Sequence, residues 1–356
     1  MIDGKKNRYG RTAARQHRRL GRVARPATPT IDIHCHVVIP AGGQIAGPHV
    51  DLTKVPLAHF ANDATRALNA SQEQDRAKIM VDVDTRLFDM DAMGIDIQVV
   101  APAPPQCFYS VDAKIAEKAH TAVNEGVAEF VSRRPDRFVG LGVTSMQAPD
   151  LAVKELETAV TKLGLKGVQI LTSVNGGELS DPKYLPFFAR AEELGAFIMM
   201  HPNGFTEGRR FTDFYFNNVI GNPLETTLAL HQLIFSGTLA RFPELKLMAV
   251  HGGGYLPAYS GRIDHAWGAR EDAHANLPLP PSTYLRQVYL DTVVFTEHQL
   301  AYLIEVFGPD RIMMGTDYPF DMGEYDPIGH VASLDLDEGV YSAICGGNAA
   351  ELLGIE

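Results

Sequence analysis

Four short stretches of this 356-residue chain carry side chains that can bind metals or move protons. They are His34-Cys35-His36, His201-Pro202, His251-Gly252-Gly253-Gly254 and Gly315-Thr316-Asp317-Tyr318-Pro319. Side chains alternate faces along a strand, so His34 and His36 share one side and Cys35 takes the other. Two imidazoles at that spacing can hold one divalent ion, and His201 and Asp317 can close the site. Three neutral imidazoles and a carboxylate suit Zn²⁺ and, less selectively, Mn²⁺, Fe²⁺ or Co²⁺. His251 is either a fifth ligand or a general acid/base, because an imidazole exchanges protons near pH 7. The glycines that follow it allow close approach of backbone to ligand.

Each stretch sits in or at the end of a short apolar run. The candidate strands are Ile31–Ile39, Asp96–Ala101, Phe138–Thr144, Gly167–Leu171, Phe197–Met200, Leu247–Val250, Val288–Val294 and Ile312–Gly315. Continuous apolar runs of this length fit parallel strands covered on both faces. Helical spacing fills the intervals: Gln72–Met93, Asp112–Arg134, Asp150–Leu163, a segment from Asp181-Pro182 to Leu194, Pro223–Phe242, Leu256–Glu271, Glu297–Phe307 and a last helix ending near Leu353. Eight strand–helix units predict an α/β fold, a (β/α)₈ TIM barrel, whose chemistry lies at the carboxyl ends of the strands. The long first connection, residues 40–71, predicts an insertion over the barrel mouth. A doubly wound open sheet is the alternative fold, but no strand is followed by a Gly-rich dinucleotide fingerprint.

Composition narrows the function classes. Hydrophobic residues make up 45% and charged residues 21%, ordinary for a globular chain that buries its own core. The net charge of −11 is divided unevenly. Residues 1–28 hold nine Lys and Arg against one acid, Asp3, whereas the remainder nets −19. So acidic a body disfavours nucleic acid as a partner. Arg18-Arg19 is not followed by an apolar segment, which argues against a secretion signal. Residues 1–28 are expected to be a basic, disordered extension, and 29–356 a single barrel domain. No apolar run is long enough for a membrane span. Three widely spaced cysteines, Cys35, Cys107 and Cys345, suit a reducing cytoplasm and argue against a cysteine-built zinc site.

The surrounding words resemble a known family. RFVGLG, MQAPDLAVKELE, GVQI, NPLETT, HGGGYLPAYSGRIDHAWGAR and GTDYPFDMGEYDP are similar to the decarboxylating branch of the amidohydrolase superfamily, the aminocarboxymuconate-semialdehyde decarboxylase type. The resemblance covers roughly residues 72–353, with the HCH of the first strand added. It implies His34, His36, His201 and Asp317 as ligands of one divalent metal, and His251 as the acid/base. It further implies carboxylate substrates held by arginines. Arg262 and Arg270 match positions that in the family reach the neighbouring subunit's active site, so a homodimer is implied. Arg76 matches a substrate-binding loop arginine of the same chain, with Lys78 nearby as an alternative. Phe320, kept after the DYP, is placed to cover an aromatic or diene ring. Asn203 stands where the family's typical decarboxylase has Trp, and Cys107-Phe108-Tyr109-Ser110 departs from the family's loop. A reshaped pocket is therefore expected.

The expected reaction is non-oxidative decarboxylation of a hydroxy- or amino-substituted aromatic or muconate-type acid. It uses a divalent metal as electron sink and no organic cofactor. His251 brings the proton, Asp317 serves as ligand and as partner to His251, and arginines orient the remaining carboxylate. Hydrolysis of a lactone, ester or amide, hydration of an unsaturated acid, and binding without turnover remain as alternatives.

Overall fold

The computed structural model describes His17 and residues 21–355. Eight parallel strands follow one another around a barrel: β1 (Ile31–Val37), β2 (Ile97–Pro102), β3 (Phe138–Val143), β4 (Gly167–Leu171), β5 (Phe197–His201), β6 (Leu247–Ala249), β7 (Tyr289–Asp291) and β8 (Ile312–Met313). Each pairs with its sequence neighbour. The segment after β8 closes the ring on β1. Ile33 N donates to Met314 O at 2.9 Å, and His36 N to Tyr318 O at 2.7 Å. The (β/α)₈ expectation is met. Helices α1 (Asp63–Val81), α2 (Val83–Met93), α3 (Ala113–Ser132), α4 (Pro149–Thr161), α5 (Leu185–Glu193), α6 (Asn222–Phe235), α7 (Leu256–Ala269), α8 (Glu297–Phe307), α9 (Pro327–Ala332) and α10 (Asn348–Leu353) accompany the strands. Among the described residues, no helix is long and apolar enough to cross a membrane.

Strand parity sorts the apolar side chains into two layers. Ile31, Ile33, Val99, Ala101, Leu141, Phe197, Met199, Met248, Val250 and Met313 fill the barrel, and Leu352 and Leu353 of α10 plug its lower end. The alternate positions, such as Ile198, Met200, Leu247 and Ala249, pack outward against the helices, and so do Cys35 and Val37 beyond an irregularity in β1. Full burial of a side chain of this size contributes roughly 1.5–3 kcal/mol.

Several boundaries differ from the sequence expectation, each for a local reason. The segment Gln72–Met93 is two helices rather than one. The Asp82 backbone is extended and its side chain accepts from Thr85 N at 2.7 Å, capping α2 as α1 ends. The segment Pro223–Phe242 breaks at Gly237, whose φ of 78° lies in the left-handed region. The insertion carries short helical turns, Pro40–Ala46, Leu52–Lys54 and Pro56–His59, and the start of α1. It leans over the mouth as expected: Leu57 N donates to Asn203 O at 3.0 Å, just beyond β5.

Order also extends N-terminal of the expected boundary at residue 28. Gly21–Ala24 forms one helical turn, and Gly21 N donates to Asp326 Oδ1 at 2.9 Å. Tyr341 Oη donates to Ala24 O at 2.6 Å. His17 is 6% exposed. The expected disorder of the other extension residues, 1–16 and 18–20, lies outside the described residues.

Candidate metal and catalytic site

The imidazoles of His34 and His36 both point into the barrel mouth, but simple alternation does not put them there. Ile31 and Ile33 already face the barrel interior, so His34 would face outward in a regular strand. An irregularity in the β1–β2 register between Asp32 and Cys35 inserts one extra residue in β1, which resets the parity. Asp32 pins that irregularity. Its Oδ1 accepts from His34 N at 3.2 Å and Thr316 N at 3.0 Å, and its Oδ2 from Thr316 Oγ1 at 2.7 Å. Gln98 Nε2 adds a bond to Oδ2 at 2.9 Å. Burial pushes the Asp32 carboxyl up to about 6. Cys35 points outward, its Sγ 3.4 Å from Val99 O, as the spacing predicted.

The donor atoms converge. His36 Nε2 lies 3.2 Å from His34 Nε2 and 3.1 Å from Asp317 Oδ1. The same carboxylate oxygen is 3.4 Å from His34 Nε2 and 3.9 Å from His201 Nε2. One ligand atom from each of the four residues lies within 4.8 Å of the others, and all four residues are buried. Donors bound at ~2.0–2.2 Å around a four- or five-coordinate ion stand roughly 3–4 Å apart. His201 Nε2 is fully buried with no hydrogen-bond partner, a costly state that a bound cation relieves. Its other nitrogen lies 2.6 Å from Pro202 O, which as acceptor fixes Nδ1 as the donor and leaves the Nε2 lone pair free. The residues therefore fit a divalent ion.

Electrostatics favour the ligating form of three of the four donors, His36, His201 and Asp317. Burial pushes the imidazoles of His36 and His201 down to about 4 and about 3. His34 moves the other way. Burial depresses it, but the facing Asp317 and Asp291 carboxylates together raise it. Burial works against ionisation of Asp317 too, yet His34 and the other surrounding imidazoles hold its carboxyl well below the usual range.

Asp317 and His251 both sit on left-handed backbone, with φ of 58° and 56°. His251 Nε2 is 3.5 Å from Asp317 Oδ2, the oxygen on the far side from the other imidazoles. Its side chain is 17% exposed whereas His34 and His36 are sealed, so it is the imidazole open to the mouth. The last glycine of the turn has a steric reason. A Cβ on Gly254, at φ 68°, would meet Pro223 O at 2.3 Å.

Arg76 and Phe320 join the site. The Arg76 guanidinium lies over the Phe320 ring at 5.0 Å, and that ring is 5.0 Å from the His36 ring. Arg76 Nη1 is buried with no hydrogen-bond partner. Lys78, two residues on, is exposed. Arg262 and Arg270 are not brought to this cluster within the chain. Both are exposed, Arg262 midway along α7 and Arg270 just past its end, and Arg270 is held by Asp272 at 2.6 Å.

Besides Asp32, four contributors were not singled out from the sequence. Asp291, at the end of β7, bonds His34 Nδ1 through Oδ2 at 2.7 Å and accepts from Gly252 N through Oδ1 at 2.9 Å, so one carboxylate orients His34 and the His251 turn. An acid ending the run VYLD was its signal. Arg86 is fully buried, donates to His36 O and to Gln98 Oε1, and lies 4.9 Å from the Tyr318 ring. It looks like any helical arginine in the sequence. Tyr215 and Asp321 complete the rim near Arg76. Burial raises both groups, with Arg76 acting against the rise.

A parallel barrel with three imidazoles and a carboxylate converging at its mouth, and a fourth imidazole beside them, defines a class, and the chain belongs to it: it is a member of the amidohydrolase family, matched over residues 31–355. It is 35% identical to the 2-amino-3-carboxymuconate-6-semialdehyde decarboxylase of Dictyostelium discoideum, over 77% of each chain. It is 29% identical to the gamma-resorcylate decarboxylase of Rhizobium radiobacter, over 67% of this chain and 77% of that one. Among solved structures, the 5-carboxyvanillate decarboxylase of Sphingomonas paucimobilis superposes with a TM-score of 0.81 at 28% identity, covering 92% of this chain and 99% of that one.

Proposed function

We propose that the protein is a metal-dependent, non-oxidative carboxy-lyase acting on a hydroxy- or amino-substituted aromatic or muconate-type acid. The observation that carries this reading is the convergence of His34, His36, His201 and Asp317 on one point with His251 on its open side. The decarboxylase relatives support the same reaction class. We assign the four converging residues as ligands of one divalent cation, zinc by preference of the donor set. When bound, that cation acts as a Lewis acid toward substrate oxygen and takes up developing negative charge.

The chain's own residues do the rest. Arg76 Nη1, buried and unpartnered, receives a substrate carboxylate, for which a guanidinium fork is the matched donor. Phe320 covers the planar body of the acid. The bond to the leaving carboxylate breaks with release of CO₂, and its electron pair stays on the ring or diene carbon. His251, as imidazolium at Nε2, delivers the proton to that carbon, and Asp317 Oδ2 stabilises the charged ring beforehand. Asp291 holds the turn that aims His251.

A homodimer completes the proposal. Tyr255, Tyr259 and Arg262 fall at i, i+4 and i+7 around α7, and all three are exposed. Such a face is suited to a second copy, to whose site Arg262 and Arg270 would extend. Three buried, unbridged cysteines support a cytoplasmic setting.

The test is metal content on the purified protein coupled to CO₂ release from a panel of hydroxy- and aminobenzoates and muconates. One metal at this centre with CO₂ release is the expected result. Metal without CO₂ release, and turnover of lactones or amides instead, would replace the carboxy-lyase reading with hydrolysis. For the dimer, mixing Arg262→Ala with His251→Ala subunits should restore part of the activity; no recovery after confirmed subunit exchange removes the shared site.

A further inference from the structure

A second group of donor residues, sharing none with the first, lies where the N-terminal arm meets the loop after β8. His17, Glu324 and His330 are 6%, 6% and 0% exposed. His17 Nε2 stands 3.1 Å from Glu324 Oε2, and the His17 and His330 rings are 4.9 Å apart with a 59° tilt. One ligand atom from each of the three lies within 4.8 Å of the others. Glu324 Oε1 accepts from Asp326 N at 2.8 Å, which leaves Oε2 for the imidazoles. His17 Nδ1 is buried without a hydrogen-bond partner.

We propose that His17, Glu324 and His330 form a second divalent-cation site, structural in role and selective for Zn²⁺. Two imidazoles and one carboxylate are a zinc donor set, and a fourth position remains for water. A buried carboxylate facing two imidazoles costs desolvation free energy, and a divalent ion offsets that cost more completely than one imidazole proton does. The ion would tie the arm to a loop with a direct bearing on the catalytic centre. Glu324 N donates to Thr316 O at 2.7 Å, and the same loop carries Asp317, Phe320 and Asp321. Gly21 N, bonded to Asp326 Oδ1, fastens the arm a few residues further on. The cation thus acts as a clasp between two segments some 300 residues apart in sequence.

The experiment counts zinc. The full chain, free of any histidine tag, is equilibrated with Zn²⁺, desalted and analysed by inductively coupled plasma mass spectrometry. The wild type should retain two zinc ions per chain. His17→Ala and Glu324→Gln should each retain one, the glutamine still able to accept from Asp326 N through its remaining carbonyl oxygen. Circular dichroism identifies any variant that fails to fold, and the arm variant leaves the barrel core untouched. A wild-type count of one, or an unchanged count of two in either folded variant, overturns the second site.

Discussion

The histidine side and the arginine side of the barrel mouth differ in how far protein hydrogen bonds orient their side chains in advance. On the histidine side, His34 is fixed by Asp291, His201 by Pro202 O, and the β1 irregularity by Asp32 and Thr316. On the arginine side, Arg76 rests on the Phe320 ring with Nη1 unpartnered, and Asp321 has a 3.3 Å bond from Gln72 Nε2. One side has its geometry set by protein hydrogen bonds before any ligand arrives. The other keeps a buried donor open, with Gln72 and Arg76 on α1 facing Phe320 and Asp321 on the half-buried loop after β8. The contrast fits a shared chemistry on the rigid side and a chain-specific substrate on the other.

Breaking the rigid side should cost most. His36→Ala combined with His201→Ala should abolish both retained active-site metal and CO₂ release, read by metal analysis and a coupled CO₂ assay. His251→Asn comes next, chosen because asparagine tolerates the left-handed backbone there. It should keep the metal while kcat falls about 10²–10⁴-fold; loss of the metal would make His251 a ligand instead. Asp291→Asn should weaken metal affinity or activity about 10–100-fold, measured by chelator competition. On the open side, Arg76→Ala should raise KM roughly tenfold to a hundredfold, the worth of hydrogen bonds to a charged group, with metal content unchanged. An unchanged KM would remove Arg76 from substrate binding.

The smallest effect concerns pH and the metal-free protein. His36 and His201 are held neutral in the fold down to about 4 and about 3, but take up protons below about 6.5 when unfolded. The unfolded chain therefore binds more protons across that window, and stability falls as pH drops from 6.5 toward 4. Asp32 acts in the opposite sense between about 6 and 3.8, because its folded carboxyl is the more readily protonated. Asp321, raised by burial as well, adds to that opposing share, but the two imidazoles act over the whole window, so the Tm of the apoprotein should still decline on acidification. A flat Tm between pH 6.5 and 4 would contradict the burial argument.

The sequence disclosed most where a local pattern was sufficient. Strand β4 matches its apolar run residue for residue, and β5 is extended only by His201. The strand ends also disclosed the four converging donors and His251, because a barrel brings its carboxyl ends to one face. What stayed hidden depends on partners far along the chain. The β1 irregularity is held by Thr316, 284 residues from Asp32. Arg86 becomes a positioning group only because α2 lays it under His36 O. His17 reads as part of a basic tail until Glu324, 307 residues away, is folded against it. The break at Asp82 was local and legible, since Asp82 and Thr85 have cap spacing, but the continuous helical pattern around it masked the cap.

The central claim is that carbon loses CO₂ and gains a proton at this centre. Turnover of an accepted acid in D₂O, with the product analysed by mass spectrometry and NMR and CO₂ counted in parallel, tests it most directly. The account predicts one CO₂ per product and one deuterium on the carbon that carried the carboxylate, with both lost together in His251→Asn. A product heavier by one water, with no CO₂ released, would contradict it.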